Sequence, residues 1–154
     1  MQLTKNFSLA ELTKSQSAIR LGLDNTPGET ETENLKRLCE EVLQPVRDHF
    51  GKPVVVNSGY RSPQVNAAIG GSRTSEHCKG MAADIEIPGV PNPELAQWIH
   101  DNLRYRQLIL EFYTQGEPNS GWVHVSFNPV DLKKQDLTAA RQDGKTVYLH
   151  GLVA

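Results

Sequence analysis

No stretch of this chain approaches the roughly 20 consecutive apolar residues that a membrane span needs. Met1 to Asn6 is polar where a secretory leader would begin its apolar core. The expectation is a chain without a leader, cytoplasmic as synthesised and not membrane-inserted, that reaches any target outside the cell by release or delivery. Cysteine is nearly absent: Cys39 and Cys78 are too few for a disulfide framework and lack the spacing of a four-ligand structural zinc site. An excess of one charge is missing too. Against 16 Lys+Arg stand 18 Asp+Glu, and no basic cluster recurs along one face, which argues against a nucleic-acid partner. Nor is there a repeat, a low-complexity tract or a dividing linker, so residues 1–154 read as a single domain, expected to be monomeric. A chain of 154 residues can bury most of its apolar surface without staples. Any metal it holds is therefore expected to serve chemistry.

What is present is a regular alternation of patterns. Ser8 followed by Glu11 three residues later matches a capping box ahead of a short helix. After the Gly-, Pro- and Thr-rich stretch from Asp24 to Thr32, apolar residues recur at Leu35, Leu38, Val42, Leu43, Val46 and Phe50, which predicts an amphipathic helix of about five turns. Val54 to Val56 reads as a buried strand. Ser58-Gly59-Tyr60-Arg61 turns out of it into a helix that starts at Ser62-Pro63 and stops at Gly70-Gly71. Ser72 to Gly80 is polar and loop-like. A second amphipathic helix starts at Asn92-Pro93 and carries Leu95, Trp98 and Ile99, and Gly144 to Leu152 predicts a last edge strand.

Three segments alternate with period two. Ala83, Ile85 and Ile87 oppose Ala82, Asp84 and Glu86; Leu108, Leu110 and Phe112 oppose Gln107, Ile109 and Glu111; Val123, Val125 and Phe127 oppose Trp122, His124 and Ser126. Each therefore presents polar groups opposite its aliphatic face: Asp84, Glu111 and His124, with His77 just upstream in the polar segment. A catalytic zinc takes three His or carboxylate ligands and keeps a fourth position open. The other histidines, His49, His100 and His150, lie near helix ends and the C-terminal tail and read as structural.

Spacing alone does not single out His77 and Asp84; the surrounding blocks do. Ser58-Gly59-Tyr60-Arg61-Ser62, then Ser75-Glu76-His77-Cys78-Lys79-Gly80-Met81-Ala82-Ala83-Asp84-Ile85, then Trp122-Val123-His124-Val125-Ser126 together resemble the zinc D-alanyl-D-alanine carboxypeptidases and their relatives, in order and spacing. The S-x-H-x-x-G-x-A-x-D block is the specific part: Gly80 permits a tight turn between two ligands and Ala82 leaves room beside them. The likeness covers roughly residues 30 to 130, and Phe7 to Leu23 also looks like what precedes the domain in phage-encoded and bacterial members. It implies that His77, Asp84 and His124 bind zinc and that Arg61 lies at the site's edge, where its fork can hold a peptide carboxylate or support an oxyanion. Ser75 and Tyr60 are carried over as substrate-binding candidates.

One departure stands out. Relatives with dipeptidase or endopeptidase activity carry an acidic residue three positions before the last His ligand, and here that position is Gly121. Attack of water on an amide needs a group that accepts its proton and passes it to the leaving nitrogen. Glu111 is the candidate, with Glu76, Glu86 and His100 as alternatives.

The expected fold is α+β, a small antiparallel sheet with helices packed on one side, as in the hedgehog and DD-peptidase scaffold, and a metal on the sheet's other face. The implied function is hydrolysis of peptidoglycan stem peptides by a phage or bacterial protein, trimming a terminal D-alanine or cutting a cross-bridge. The hedgehog signalling domain, which resembles the same fold, supplies the rival, a non-catalytic zinc module that binds cell-wall peptide or a protein partner. A third reading makes Cys78 a nucleophile with His77 as its base, although adjacent side chains diverge.

Overall fold

The structure is a computed structural model that describes residues 1–153. The chain opens with a two-stranded ribbon, β1 (Gln2–Thr4) and β2 (Phe7–Ser8), followed by the short helices α1 (Leu9–Thr13) and α2 (Gln16–Leu21). The capping box forms as the sequence expects: the Ser8 hydroxyl accepts from the Glu11 amide, and the Glu11 carboxylate accepts from the Ser8 amide. The amphipathic helix runs longer than its apolar stripe, from Glu29 to Phe50, in three parts. These are α3 (Glu29–Leu38), a π-helical turn (Cys39–Leu43) and α4 (Gln44–Phe50). Pro45 supplies no amide to a regular helix, and the wider turn just before it, closed by the Gln44 amide on the Cys39 carbonyl, accommodates that loss. Leu35, Leu38, Val42, Leu43 and Val46 are fully buried along it.

The remaining elements are β3 (Val55–Ser58), α5 (Pro63–Ala68), a 3-10 turn (Glu76–Lys79), β4 (Ala82–Glu86), α6 (Asn92–Asn102), β5 (Gln107–Glu111), β6 (Trp122–Ser126), β7 (Gln135–Gln142) and β8 (Lys145–His150). The fold is α+β, but the sheet is larger than expected and not wholly antiparallel. Its six strands lie in the order β3-β4-β6-β5-β7-β8, and β5 pairs with β7 in parallel. Two local expectations also change. Val54 to Val56 is not a buried strand: β3 is an edge, so Val54 is covered while Val55 is 40% exposed. The eight-residue β7, absent from the sequence reading, separates the central strands from β8.

The long helix and α6 cover one face of this sheet. Their leucines, isoleucine and valines meet Ala83, Ile85, Leu108, Leu110, Val123 and Val125 in one core. Because side chains alternate along a strand, the other face receives Asp84, Ile109, Glu111, Trp122 and His124. A small separate apolar cluster of Ile109, Leu137 and Ala139, with Phe112 against it, floors that face. No described helix is long and apolar enough to cross a membrane.

Candidate metal centre

Asp84 and His124 are direct cross-strand partners of β4 and β6, so backbone pairing alone sets their side chains beside each other. His77 arrives from outside the sheet, on the 3-10 turn. The turn is capped by Ser75, whose hydroxyl accepts from the His77 amide at 3.2 Å, and ends at Gly80, with φ +72. A Cβ at position 80 would sit 2.4 Å from the Glu31 carbonyl oxygen, so glycine is needed both for the turn and for its packing on α3. The segment is an ordered turn rather than a loose loop.

His77 is buried, and its Nδ1 donates to the Gly59 carbonyl at 2.8 Å. That bond fixes the tautomer and leaves Nε2, with its lone pair, 3.5 Å from Asp84 Oδ1. His124 Nδ1 lies 3.0 Å from the same oxygen. The edge of a tetrahedron with metal–ligand bonds near 2.0–2.1 Å is about 3.3–3.4 Å, so these two separations suit one shared ion. One ligand atom from each of the three residues falls within 4.8 Å of the others, and among the described residues this is the one group so arranged.

The electrostatics favour a cation. Burial alone would raise the Asp84 carboxyl, but the hydrogen bonds from His124 and His77 outweigh it and hold the group well below the usual carboxylate range. Burial would likewise strip the proton from His124, yet the hydrogen bond and charge of Asp84 raise its proton affinity above that of a free imidazole. A proton on His124 answers the Asp84 charge in the absence of an ion, and a divalent ion would take over that role.

A cavity of about 640 Å³ opens above the three ligands. Arg61 and Glu111 both line it. The Arg61 amide donates to the His77 carbonyl at 3.1 Å, tying the residue to the ligand turn. Its Nη2 makes one long contact, 3.4 Å, to Ser75 Oγ, and its buried Nε has no partner among the described residues. Donors of the guanidinium thus remain free for a ligand. Glu111 stands opposite Trp122 in the β5–β6 pairing and accepts from Trp122 Nε1 at 2.8 Å. Burial, and next the charge of Asp84, push its carboxyl above the ordinary value, with His124, Trp122 and Arg61 pulling the other way.

The empty position of the family pattern has a steric cause. Gly121 has φ +68, and a Cβ there would lie 1.9 Å from the Glu111 carbonyl oxygen and 2.8 Å from the Phe112 carbonyl carbon. Phe112 is itself left-handed, at φ 56, so β5 and β6 converge where both chains turn sharply. No side chain fits at position 121, while Glu111 on the adjoining strand lines the cavity. Asn92, fully buried at the start of α6, holds this corner by donating to the Ser120 carbonyl at 2.9 Å.

The other candidates fall elsewhere. Tyr60 is in the main core and does not line the cavity. Ser75 does line it, with its hydroxyl engaged as the cap of the ligand turn. Glu76 also faces the cavity but is paired with Arg106 at 2.9 Å. Glu86 accepts from Asn57, and His100 pairs with Asp136 at 2.8 Å; neither borders the cavity. Cys78 is outside it too, and burial raises its thiol against the pull of Arg61, which works against a cysteine mechanism. Sequence reasoning missed Arg106, whose guanidinium bridges Glu76 and Asp131 at 2.9 Å each, and Tyr148 on β8. Neither carries a local signal.

In comparison with known proteins, a family model described as Peptidase M15 matches residues 5–126. The match spans all three ligands, Arg61 and Glu111, and ends before β7. No curated protein matches the chain.

Proposed function

The chain belongs to the peptidase M15 family, and from that premise we propose that it is a zinc-dependent peptidase acting on peptidoglycan stem peptides, of the D-alanyl-D-alanine carboxypeptidase kind. The observation that carries the reading is the arrangement of one cavity: a His-Asp-His cluster able to hold a metal, with a carboxylate and a partly free guanidinium beside it. A binding module would need the ligands but not Glu111 with raised proton affinity.

Bound zinc would supply Lewis acidity, activating a water and polarising the scissile carbonyl. The protein's own groups do the rest. Glu111, desolvated and held by Trp122 Nε1, accepts the proton of the attacking water and returns it to the leaving nitrogen. Raised proton affinity suits both halves of that task, since a base closer to neutrality is also a competent acid. Arg61 offers its free N–H groups to the terminal carboxylate of the substrate or to the developing oxyanion. His77 is held in orientation by the Gly59 carbonyl, which keeps Nε2 on the metal side.

Glu111→Gln tests this. The amide oxygen can still accept from Trp122, so fold and metal content should match wild type, while hydrolysis of a D-alanyl-D-alanine-terminated peptide falls by roughly 100- to 10,000-fold. Wild-type turnover in this variant would remove Glu111 from the mechanism. A wild-type protein that binds zinc and muropeptide yet releases no product would establish the binding module instead.

A further inference from the structure

The cavity does not end at the metal ligands; it continues across the sheet to the C-terminal hairpin, which the family match does not include. Register places the relevant side chains on one face. Trp122 pairs with Glu111, Glu111 with Ala139, and Ala139 with Tyr148, so this row runs from β6 to the edge strand β8. Beside it His124, Ile109 and Leu137 form a second row. Ile109, Leu137 and Ala139 are buried in one apolar cluster, of which Ile109 lines the cavity. Tyr148 lines the same cavity as the ligands, yet its side chain stays largely uncovered, the residue being 55% exposed.

We propose that Tyr148, together with Ile109, forms a distal subsite for the acyl side of an extended peptide, recognising substrate residues remote from the cut bond. The proposal rests on the peptidase reading above and deepens it. Arg61 follows β3, at the opposite flank of the sheet from β8, so a substrate whose C-terminal end is held by Arg61 has its acyl side directed toward Tyr148. From β6 to β8 there are three strand spacings, about 14 Å at about 4.8 Å each. An extended peptide covers that distance with about four residues at about 3.3–3.6 Å each. An exposed ring takes small apolar side chains and the flat face of a peptide group. Peptides with four residues on the acyl side therefore reach the subsite, and those with one do not.

The experiment compares two peptides ending in the same D-alanyl-D-alanine bond, one with a single acyl-side residue and one with four, using wild type, Tyr148→Ala and Tyr148→Phe in the zinc-loaded full chain. The wild type should prefer the long peptide. In Tyr148→Ala the long-to-short ratio of kcat/KM should fall by roughly 3- to 10-fold, carried by KM, while Tyr148→Phe keeps the ratio because the ring and not the hydroxyl makes the contact. An unchanged ratio in Tyr148→Ala with normal turnover overturns the subsite and leaves the peptidase reading intact. Weakened equilibrium binding of the long peptide in Tyr148→Ala, with no cleavage by any form, sustains the subsite and overturns the peptidase reading. A wild type that neither binds nor cleaves the long peptide overturns both.

Discussion

Replacing Gly121 with alanine should damage stability and turnover together, because this glycine, just before the strand carrying His124, packs on the backbone of the strand carrying Glu111. Two costs add. A non-glycine residue in the left-handed region at φ +68 is disfavoured by roughly 1–2 kcal/mol. The new Cβ would also stand 1.9 Å from the Glu111 carbonyl oxygen, and backbone cannot swing aside as a side chain can. Relieving such an overlap by shifting the end of β5 costs about 1–3 kcal/mol. Together these give roughly 2–5 kcal/mol, or a fall in Tm of about 4–20 °C for a chain of this size. The same shift draws Glu111 away from Trp122 Nε1, and a displacement of about 1 Å at a catalytic group can lower turnover by about 100-fold. Gly116→Ala is the control: it lies in the same connection at φ +88, with nothing within 4 Å of the added methyl, and should show the conformational cost alone. The assays are thermal melting by circular dichroism and hydrolysis of a D-alanyl-D-alanine-terminated peptide. A Gly121→Ala protein that melts with the control and cleaves at the wild-type rate would refute the steric argument, and with it the explanation for the missing acidic residue.

Three further outcomes are expected. Protein purified without chelator should carry about one zinc per chain, and chelation should abolish hydrolysis while leaving the far-ultraviolet spectrum unchanged, since the main core lies on the other face of the sheet; absence of divalent metal even after zinc is added back would end the metal reading. Arg61→Lys should lower kcat/KM by roughly 10- to 100-fold with little change in Tm, because lysine keeps the charge and loses the planar pair of donors; unchanged kinetics would return Arg61 to a role in holding the turn. Metal-free protein should depend on Asp84 for stability only within a pH window. The lowered Asp84 carboxyl contributes above its unfolded value of about 3.9 and loses that contribution as pH falls through the folded value, whereas the raised His124 contributes below about 6.5 and loses it as pH rises through its folded value. The gap in Tm between wild type and Asp84→Asn should therefore be widest near pH 4–6.5, and a gap that is flat with pH would sink the argument.

The faces of two candidate ligands were legible in the sequence because they rest on a local rule, while His77 was singled out only by the resemblance of its surrounding block. Period-two alternation puts Asp84 and His124 on the polar faces of their strands, and a residue's face in a strand follows from its neighbours alone. The Ser8–Glu11 box and the buried stripe of the long helix were readable for the same reason, as was the helix start at Ser62-Pro63. Gly121 was visible as a departure from a familiar pattern, and Glu111 as the candidate carboxylate in its stead.

Pairing between distant segments decided the rest. Nothing in the stretch Gln135–Gln142 marks it as a strand: Leu137, Thr138 and Ala139 are all covered in succession, so its pattern does not alternate, and its parallel match to β5 is made by partners about 28 residues apart along the chain. Tyr60 was a site candidate through the Ser-Gly-Tyr-Arg block it shares with Arg61, but the turn out of β3 sends the two side chains apart, one into the core and one to the cavity. The same long-range geometry brings Arg106 between Glu76 and Asp131, brings Tyr148 to the cavity that His77, Asp84 and His124 line, and presses Gly121 against Glu111. A sequence states which face a residue occupies, since that depends on backbone periodicity within a few residues. Which strand lies alongside, and in which register, depends on the summed burial and hydrogen bonding of the whole sheet, and so only the tertiary structure decides it.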